Sequence, residues 1–430
     1  MQETFYLNTL GCRVNQYESQ ALTESLQKQG LLPVQDPGQA NYIYINSCAV
    51  TARAIRDLNR LIRSVRAKSP RAWIIVTGCA AQFLGRELDR PKEVDFILPQ
   101  AQKKHLLANI LPRNLDQDSF GDQDYRITDY FRSRPVIKVQ DGCIRGCSYC
   151  IVPRTRGASK SRSPDEILEE IQGLLAKGFA EVVLSGINLG LYGREWETNP
   201  DFWDLIRYLE HNLAPAWAGK ARIRLSSLDP AQLNSKALNT IADSRMLCPH
   251  FHLAVQSGSP KILKQMHRGY YHPGDITWFV HELQKIYSLF ALGADFLVGF
   301  PGEGPEEFLA TRELVQALPL SYAHVFTYSP RPGTPAAKYP QKVPEKEKKR
   351  RSAEIKELVQ AKTRAFASRL QQQKELDLVM EKPGRGMSEY FFECHIQEGI
   401  QESLPASMVK SRPLKLEGSK LWVEVIGSGC

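Results

Sequence analysis

Short hydrophobic runs alternate with amphipathic stretches along the first third of the chain. The runs rich in β-branched and aromatic residues, typical of strands, are Thr4–Leu10, Tyr42–Ile45, Trp73–Val76 and Asp95–Leu98. The stretches with apolar residues at helical spacing are a segment carrying Leu22 and Leu26, Ala52–Ala67, and a segment around His105–Leu111. Such alternation predicts an α/β domain with a parallel sheet flanked by helices.

The middle third continues the same alternation. Val136–Gln140 is its first strand, and Ser163 then caps a helix that opens with Pro164 and two acidic residues. Further strands are predicted at Glu181–Leu184, Arg222–Leu225, Phe251–Val255, Phe296–Val298 and His324–Tyr328. These strands and helices predict a (βα)6 barrel or partial barrel, whose chemistry lies at the carboxyl ends of the strands.

The last quarter of the chain has a different pattern. Pro344–Leu370 has apolar residues at helical spacing and is predicted to be an amphipathic connector, in which the basic cluster Lys348–Arg351 serves either solvation or RNA binding. Strand-like stretches follow at Asp377–Met380, Tyr390–His395 and Leu421–Ile426. We therefore predict three domains, namely an N-terminal domain over 2–113, a core over 129–358 and a small β domain over 361–430.

Asp141–Cys150 contains the spacing C-x3-C-x2-C directly after a predicted strand. Cys143, Cys147 and Cys150 can bind three irons of a 4Fe-4S cluster, for which cysteine thiolate is the usual ligand. The fourth iron would then remain open to chelation by the amino and carboxylate groups of S-adenosylmethionine (SAM). A zinc site is the alternative, but zinc prefers a fourth cysteine or histidine ligand, and none is near in the sequence.

Three further cysteines occupy equivalent places in the N-terminal pattern. Cys12, Cys48 and Cys79 each follow a predicted strand of the first domain. Because the carboxyl ends of neighbouring parallel strands lie side by side, these residues should meet at one edge of the sheet. The pattern favours a second metal cluster over three buried free thiols, whereas Cys248 and Cys394 are predicted to be structural.

Small polar residues and glycines follow several strands of the core domain, where a backbone approaches a ligand closely. The candidate cofactor contacts are Ser185, Gly186, Asn188, Gln256, Gly299, Glu303 and Tyr149. Each glycine by itself is also typical of an ordinary turn. Tyr149 is suited either to stacking on adenine or to packing within its loop. His250 and His252 alternate on a strand, for which packing or a polar network is favoured over metal binding.

Composition and charge narrow the class of protein. The chain is 42% hydrophobic and 24% charged over 430 residues, which is ordinary for a globular protein. No apolar run approaches the roughly 20 residues of a membrane span, and the strand-like N-terminus has no basic segment typical of a signal peptide, so we expect a cytoplasmic protein. The net charge of +9 suits a polyanionic partner.

Arginines are concentrated on one predicted helix and after the Cys143–Cys150 loop. The candidate RNA contacts are Arg53, Arg56, Arg60, Arg63, Arg154 and Arg156. The first four recur every three or four residues and so form one stripe along a helix. Such groups would position RNA through phosphates without reading its sequence; a solvated helix face is the alternative.

Several ordered blocks resemble the MtaB-type methylthiotransferases, which modify threonylcarbamoyladenosine in tRNA. These blocks are Thr9–Ser19, Asn46–Thr51, Val76–Gln82, Asp141–Pro153, Gln256–Ser259, Val298–Glu303 and Tyr328–Pro335. Two positions depart from the family pattern: Ser47 stands where threonine is frequent, and Ala80 where tyrosine is common. The resemblance implies a 4Fe-4S cluster on Cys12, Cys48 and Cys79, and a SAM-binding 4Fe-4S cluster on Cys143, Cys147 and Cys150. It also implies a C-terminal TRAM β-barrel, although no TRAM pattern is visible in Arg369–Gly429.

The resemblance further implies a radical reaction at C2 of the modified adenine at position 37. Reductive cleavage of SAM would give a 5′-deoxyadenosyl radical that abstracts hydrogen, and the second cluster would deliver a methylthio group. The expected partners are the tRNA anticodon loop and a low-potential electron donor, without DNA or a membrane. Related enzymes act on isopentenyladenosine in tRNA or on a ribosomal-protein aspartate, and these substrates remain alternatives. An iron–sulfur electron carrier that binds RNA without catalysis is an alternative of another class.

Overall fold

The computed structural model describes residues 2–84, 89–100, 126–397 and 406–428. The chain forms two compact units. The first comprises Met1–Tyr130, Gly142–Ile144 and Cys150–Ala158, and the second comprises Phe131–Asp141, Arg145–Tyr149 and Ser159–Cys430. The helix predicted around His105–Leu111 lies outside the described residues.

A five-stranded parallel sheet forms the first unit, in the order β2-β1-β3-β4-β5. Its strands are β1 (Thr4–Thr9), β2 (Leu32–Pro33), β3 (Tyr42–Ser47), β4 (Trp73–Gly78) and β5 (Phe96–Leu98). The helices are α1 (Arg13–Lys28), α2 (Ala52–Lys68) and the short α3 (Val152–Arg156). Strand β3 is buried along its whole length, as expected for a central strand covered on both faces. Four predicted strands and two predicted helices are confirmed; of the elements named above, the two-residue β2 and the five-residue α3 were not predicted.

Two four-stranded sheets form the core of the second unit, in the orders β7-β6-β8-β9 and β10-β11-β12-β13. Their strands are β6 (Val136–Asp141), β7 (Lys160–Ser161), β8 (Glu181–Gly186), β9 (Arg222–Leu225), β10 (Ser227–Leu228), β11 (His250–Gln256), β12 (Ala291–Val298) and β13 (Tyr322–Thr327). Only Ser226 separates β9 from β10, so one chain segment joins the sheets. Except for the antiparallel β7, neighbouring strands are parallel. The predicted α/β class with six main parallel strands is confirmed.

Helices connect the strands of this core. They are α4 (Pro164–Ala176), α5 (Phe202–Trp217), α6 (Ser235–Asp243), α7 (Pro260–Gln265), α8 (Pro273–Ile286) and α9 (Pro305–Ala317). The predicted cap is present, because the Ser163 side chain accepts a hydrogen bond from the Glu166 amide. Strand β12 begins at Ala291, five residues before the predicted start. Its first half, Ala-Leu-Gly-Ala-Asp, has low intrinsic strand propensity, and pairing with β11 and β13 overrides that preference.

A long helix, α10 (Glu345–Gln371), leads into a closed five-stranded barrel with the order β14-β15-β16-β18-β17. Its strands are β14 (Leu376–Lys382), β15 (Arg385–Ser388), β16 (Glu393–Ile396), β17 (Met408–Glu417) and β18 (Lys420–Ser428). The prediction of a strand over Tyr390–His395 was wrong at its start, because Phe391 adopts a φ of +58° in a turn. Strands β15 and β17 were missed, since Gly386 and the exposed basic residues of β17 obscure the hydrophobic pattern. Within the described ranges, no helix is both long and apolar enough to cross a membrane.

Candidate functional site

The three cysteines of the first unit lie where strands β1, β3 and β4 end. Backbone hydrogen bonds join these ends, since Leu10 N donates to Asn46 O at 2.8 Å and Cys79 N donates to Ser47 O at 2.8 Å. Because each bond is two residues or fewer from a cysteine, the structure brings Cys12, Cys48 and Cys79 to one edge of the sheet. The backbone therefore has the three residues at the one sheet edge where the sequence predicts them.

Two buried asparagines hold this edge together. Asn15 Nδ2 donates to Ser47 O at 3.1 Å, and Asn46 Nδ2 donates to Asn15 O at 2.9 Å. Cys12 Sγ lies 3.4 Å from Asn15 Oδ1. A Cβ on Gly11, which has a φ of +140°, would lie 3.1 Å from Cys48 Cβ, so glycine allows the close approach. The sequence predictions missed both asparagines, although each belongs to a block next to a cysteine.

The surroundings of the thiols suit a metal cluster. The pKa of the Cys48 thiol is raised to about 11, mainly by burial and in smaller part by the neighbouring thiols of Cys79 and Cys12. Metal ions bind thiolates and release their protons, so binding of a cluster would relieve the cost of charging these sulfurs. A set of three sulfur donors fits an iron–sulfur cluster, whereas a structural zinc site requires four donors.

The loop Cys143–Cys150 follows β6 and is held by backbone and side-chain hydrogen bonds. Cys143 N donates to Gly157 O at 3.1 Å. Within the second unit, Ser148 N donates to Met266 O at 3.0 Å, and the Ser148 hydroxyl donates to Gln265 O at 2.8 Å. These hydrogen bonds hold Cys143 within the first unit and Ser148, the neighbour of Cys147, within the second.

Arg268 is a site residue that the sequence predictions missed. Its guanidinium is buried, donates to Cys147 Sγ at 3.6 Å and pairs with Asp229 at 3.1 Å. A cationic donor at a ligand sulfur stabilises the thiolate and any cluster charge on it. Arg268 follows α7 by three residues, and nothing in its local sequence distinguishes it from a surface arginine.

Glu303 and Gly299 form the core of the loop after β12. Gly299 N donates to Glu303 Oε1 at 2.8 Å, and Arg351 of α10 donates to the same oxygen at 2.6 Å. Glu303 Oε2 is buried without a hydrogen-bond partner among the described residues. Burial raises the pKa of Glu303 despite Arg351. A buried carboxylate oxygen without a partner fits the ammonium group of SAM.

The connector helix α10 supports this loop, which the sequence predictions did not foresee. Lys348 and Arg351 are buried, and a Cβ on Gly299 (φ +74°) would collide with Lys348 Cγ. Lys348 Nζ donates to Tyr328 O at 3.0 Å. In the basic cluster, Lys348 and Arg351 therefore hold the cofactor loop, while Lys349 and Arg350 are exposed.

The other predicted cofactor residues lie on loops of the second unit. Ser185 is buried at the end of β8, Asn188 N donates to Gln140 Oε1 at 2.9 Å, and Gln256 has a φ of +65°. Tyr149 packs edge-to-face on Phe300 with ring centroids 6.3 Å apart. Of the two roles predicted for Tyr149, this contact corresponds to packing. Gly186 leaves room for Gln140, whose side chain would lie 3.1 Å from a Cβ there.

The predicted RNA contacts divide into exposed and buried groups. The stripe Arg53, Arg56, Arg60 and Arg63 is exposed along α2. Arg154 is also exposed and lies over the Phe83 ring at 5.2 Å. Arg156 differs, because its side chain is 1% exposed and pairs with Glu18 at 2.9 Å. A guanidinium held in this way is not available to phosphate, so Arg156 is not an RNA contact in the arrangement that the structure shows.

Two protein-family models match separate parts of the chain. Residues 4–99 match the uncharacterized protein family UPF0004, and residues 137–315 match the radical SAM superfamily. A radical SAM methyltransferase from Kitasatospora setae, TsrM, solved with tryptophan and a SAM analogue, has a TM-score of 0.56 at 15% identity, covering 78% of this chain and 75% of that one. This likeness shows a shared fold.

Curated relatives are more similar in sequence. The threonylcarbamoyladenosine tRNA methylthiotransferase MtaB of Thermotoga maritima is 38% identical over 83% of this chain and 81% of its own length. The protein of that name from Aquifex aeolicus is 35% identical, with coverage of 92% and 96%. The tRNA-2-methylthio-N(6)-dimethylallyladenosine synthase of Bartonella tribocorum is 34% identical, with coverage of 88% and 86%.

The fold and the cysteine loop after β6 define the class: the protein is a radical SAM enzyme, which uses a 4Fe-4S cluster and SAM. Identities of 34–38% over most of the chain identify the group within that class. The chain belongs to the tRNA methylthiotransferase family.

Proposed function

We propose that this enzyme adds a methylthio group to C2 of N6-threonylcarbamoyladenosine at position 37 of tRNA. Two MtaB relatives with 35% and 38% identity over at least 83% of the chain carry a threonylcarbamoyladenosine name. The observation that carries the proposal is the pair of cysteine sites in one chain, one at a strand edge and one in the loop after β6. Methylthiolation needs both an activated substrate carbon and a sulfur donor, so two sites match the two tasks.

In this proposal, Cys143, Cys147 and Cys150 hold one 4Fe-4S cluster, and Cys12, Cys48 and Cys79 hold a second. When bound, the clusters and SAM supply the one-electron chemistry, the methyl group and the sulfur. The protein groups orient and shield: Glu303 Oε2 accepts from the SAM ammonium, and Arg268 donates to Cys147. The loops at Ser185–Asn188 and Gln256–Ser259 bind the rest of SAM, and Tyr149 packs beside them.

The proposed partners are the tRNA anticodon loop and a low-potential electron donor, with the cytoplasm as the location. The exposed arginines of α2 and Arg154 contact RNA phosphates. The proposed functional domains are 2–113 for the second cluster, 129–358 for SAM chemistry and 361–430 for the small barrel.

The test separates the two cysteine sites after anaerobic reconstitution. The wild-type chain should bind about eight irons, as two 4Fe-4S clusters require. Cys48→Ala should bind about four, still convert SAM to 5′-deoxyadenosine, and form no methylthiolated RNA. Cys147→Ala should lose both activities. Cys248→Ala is the matched control, because this buried thiol belongs to neither cysteine set and its loss should change neither iron content nor product.

Two results would contradict the proposal. Normal methylthio product from Cys48→Ala would exclude the strand-edge site as sulfur source. Mass spectrometry of nucleosides from treated tRNA tests the substrate, and product found only on dimethylallyladenosine would overturn the assignment to threonylcarbamoyladenosine.

A further inference from the structure

A layer of polar side chains crosses strands β11, β12 and β13 of the second unit. His252 Nε2 lies 3.1 Å from Asp295 Oδ1, and His252 Nδ1 lies 2.9 Å from the Tyr322 hydroxyl. The ligand atoms of His252, Asp295 and His324 all lie within 4.8 Å of one another. The sequence predicted packing or a polar network for the histidines of β11, and the network is what the structure contains.

This layer lies on the sheet face opposite the helices. Phe251, the neighbour of His252 in β11, packs against Tyr287 and Phe290 after α8, with centroids 6.1 and 6.3 Å apart. Because successive strand residues point to opposite faces, His252 points to the inner face of the curved sheet. The arrangement of Tyr322 and His252 also requires a glycine, since a Cβ on Gly293 would collide with the Tyr322 ring.

The layer is open to solvent on one side and close to the cofactor loop on the other. His324 is exposed on the edge strand β13, and Phe326, two residues further along the same face, is 47% exposed. Asp295 precedes the last residue of β12 by three positions, about 10 Å along the strand. The loop containing Gly299 and Glu303 begins immediately after that strand end.

We propose that Asp295 and His324, positioned by His252 and Tyr322, bind the polar substituent on N6 of the substrate adenine; this inference rests on the proposed function. A threonylcarbamoyl group carries urea N–H donors, a hydroxyl and a carboxylate. The Asp295 carboxylate accepts from the urea or hydroxyl donors, and the exposed His324 imidazole faces the substrate carboxylate. His252 and Tyr322 position these groups, because His252 bonds to Asp295 and the Tyr322 hydroxyl bonds to His250 and His252.

Such a layer discriminates between the substrates of related enzymes. A dimethylallyl group is a hydrocarbon, and it would cover the His252–Asp295 pair without offering a single hydrogen bond. Sites built to hydrogen-bond a polar group reject an analogue lacking it, because the buried polar atoms lose water and gain no partner. The same layer therefore gives selectivity for threonylcarbamoyladenosine.

The experiment uses the reconstituted holoenzyme and three anticodon stem-loop RNAs with threonylcarbamoyladenosine, dimethylallyladenosine or plain adenosine. RNA affinity is measured without reductant, and kcat/KM for methylthiolation with it. His324→Leu and Asp295→Asn, tested singly, should each lower affinity and kcat/KM for the threonylcarbamoyl RNA by about tenfold or more. Both should leave affinity for plain RNA and 5′-deoxyadenosine formation without RNA unchanged. His281→Leu and Asp243→Asn, exposed residues of α8 and α6, are the matched controls.

The outcomes separate this inference from the proposed function. If the wild type modifies the threonylcarbamoyl RNA but both variants keep its preference, the inference alone is wrong. If the wild type modifies only the dimethylallyl RNA, the proposed substrate fails first and the inference fails with it. A non-iron divalent metal bound at one equivalent and lost in both variants would show a metal site and overturn the inference.

Discussion

At the scale of single residues, Arg268 lies where its charge would act on a cluster bound through Cys147. Its guanidinium donates a hydrogen bond to Cys147 Sγ at 3.6 Å. The same guanidinium also donates to Asp229 Oδ2 and to Ala254 O, each at 3.1 Å. Hydrogen bonds to the sulfurs are among the factors that set the reduction potential of an iron–sulfur cluster. Arg268 is therefore a positioning residue with an electronic effect.

Arg268→Gln is expected to shift the midpoint potential of the cluster proposed at Cys143, Cys147 and Cys150 to a more negative value. Removal of the positive donor destabilises the more negative, reduced cluster more than the oxidised one. A redox titration followed by electron paramagnetic resonance measures the shift. Arg268→Lys should restore part of it, and Arg207→Gln, an exposed arginine of α5, is the control. An unchanged potential in Arg268→Gln would mean that the arginine only supports the loop.

At the scale of elements, one buried carboxylate joins the core sheet to the small barrel. Glu181, at the start of β8, pairs with Arg224 at 2.6 Å, Arg222 at 2.7 Å and Arg134 at 3.3 Å. Arg224 donates further to Ser388 O, and Arg222 donates to Asp377 O, both in the barrel. One end of the sheet is thus closed by an ionic layer that fixes the barrel against it.

Glu181→Gln is expected to lower the free energy of unfolding by about 3–5 kcal/mol, because it leaves buried guanidinium groups without their counter-charge. Urea denaturation measures the change. Glu424→Gln removes an exposed pair with Arg412 on the barrel and should cost less than about 1 kcal/mol. Equal effects of the two substitutions would contradict the importance of the buried layer.

The difference in stability between the wild type and Glu181→Gln should depend on pH. Burial by itself would raise the pKa of Glu181, but Arg224 and Arg222 outweigh it and hold the pKa well below its usual value. A depressed pKa contributes stability that is present above the unfolded value and is lost as the pH falls toward the folded value. The stability difference between wild type and Glu181→Gln should therefore shrink by roughly 1.4 kcal/mol per pH unit below about pH 4.5.

At the scale of the whole molecule, the positive charge is distributed unevenly. The net charge is +9, and the exposed stripe on α2 concentrates four arginines around the single acid Asp57. Many of the basic residues in the core are already paired, as Arg156 and Arg351 show. The exposed stripe is thus the surface best suited to a polyanion.

Arg56→Glu combined with Arg63→Glu is expected to weaken tRNA binding. The dependence of log K on log salt concentration should become less steep by the contribution of about two phosphate contacts. The loss should be similar for different tRNA sequences, because phosphate contacts carry no sequence information. Lys177→Glu combined with Lys220→Glu applies the same charge change to exposed residues of the second unit. A matching loss in that control would indicate a general charge effect and no local RNA surface.

The sequence by itself determined the main parallel strands, the α/β class and the position of Cys12, Cys48 and Cys79 after three of those strands, but not β15 and β17 of the barrel. These features depend on local hydrophobic pattern and on the fixed rule that parallel strands end together. The two-residue strands β2, β7 and β10 and the first half of β12 were not visible, since they form through pairing with neighbours and not through propensity.

Tertiary structure alone decided which charged and polar residues serve the site. Arg156 was grouped with surface arginines, yet it is buried against Glu18, while Lys348 and Arg351 hold the loop of Gly299 and Glu303 from a distant helix. His252 and Asp295 meet although 43 residues separate them in the sequence. The physical reason is that local sequence sets periodicity and caps, whereas the burial and partners of an ionisable side chain depend on segments that approach only after folding.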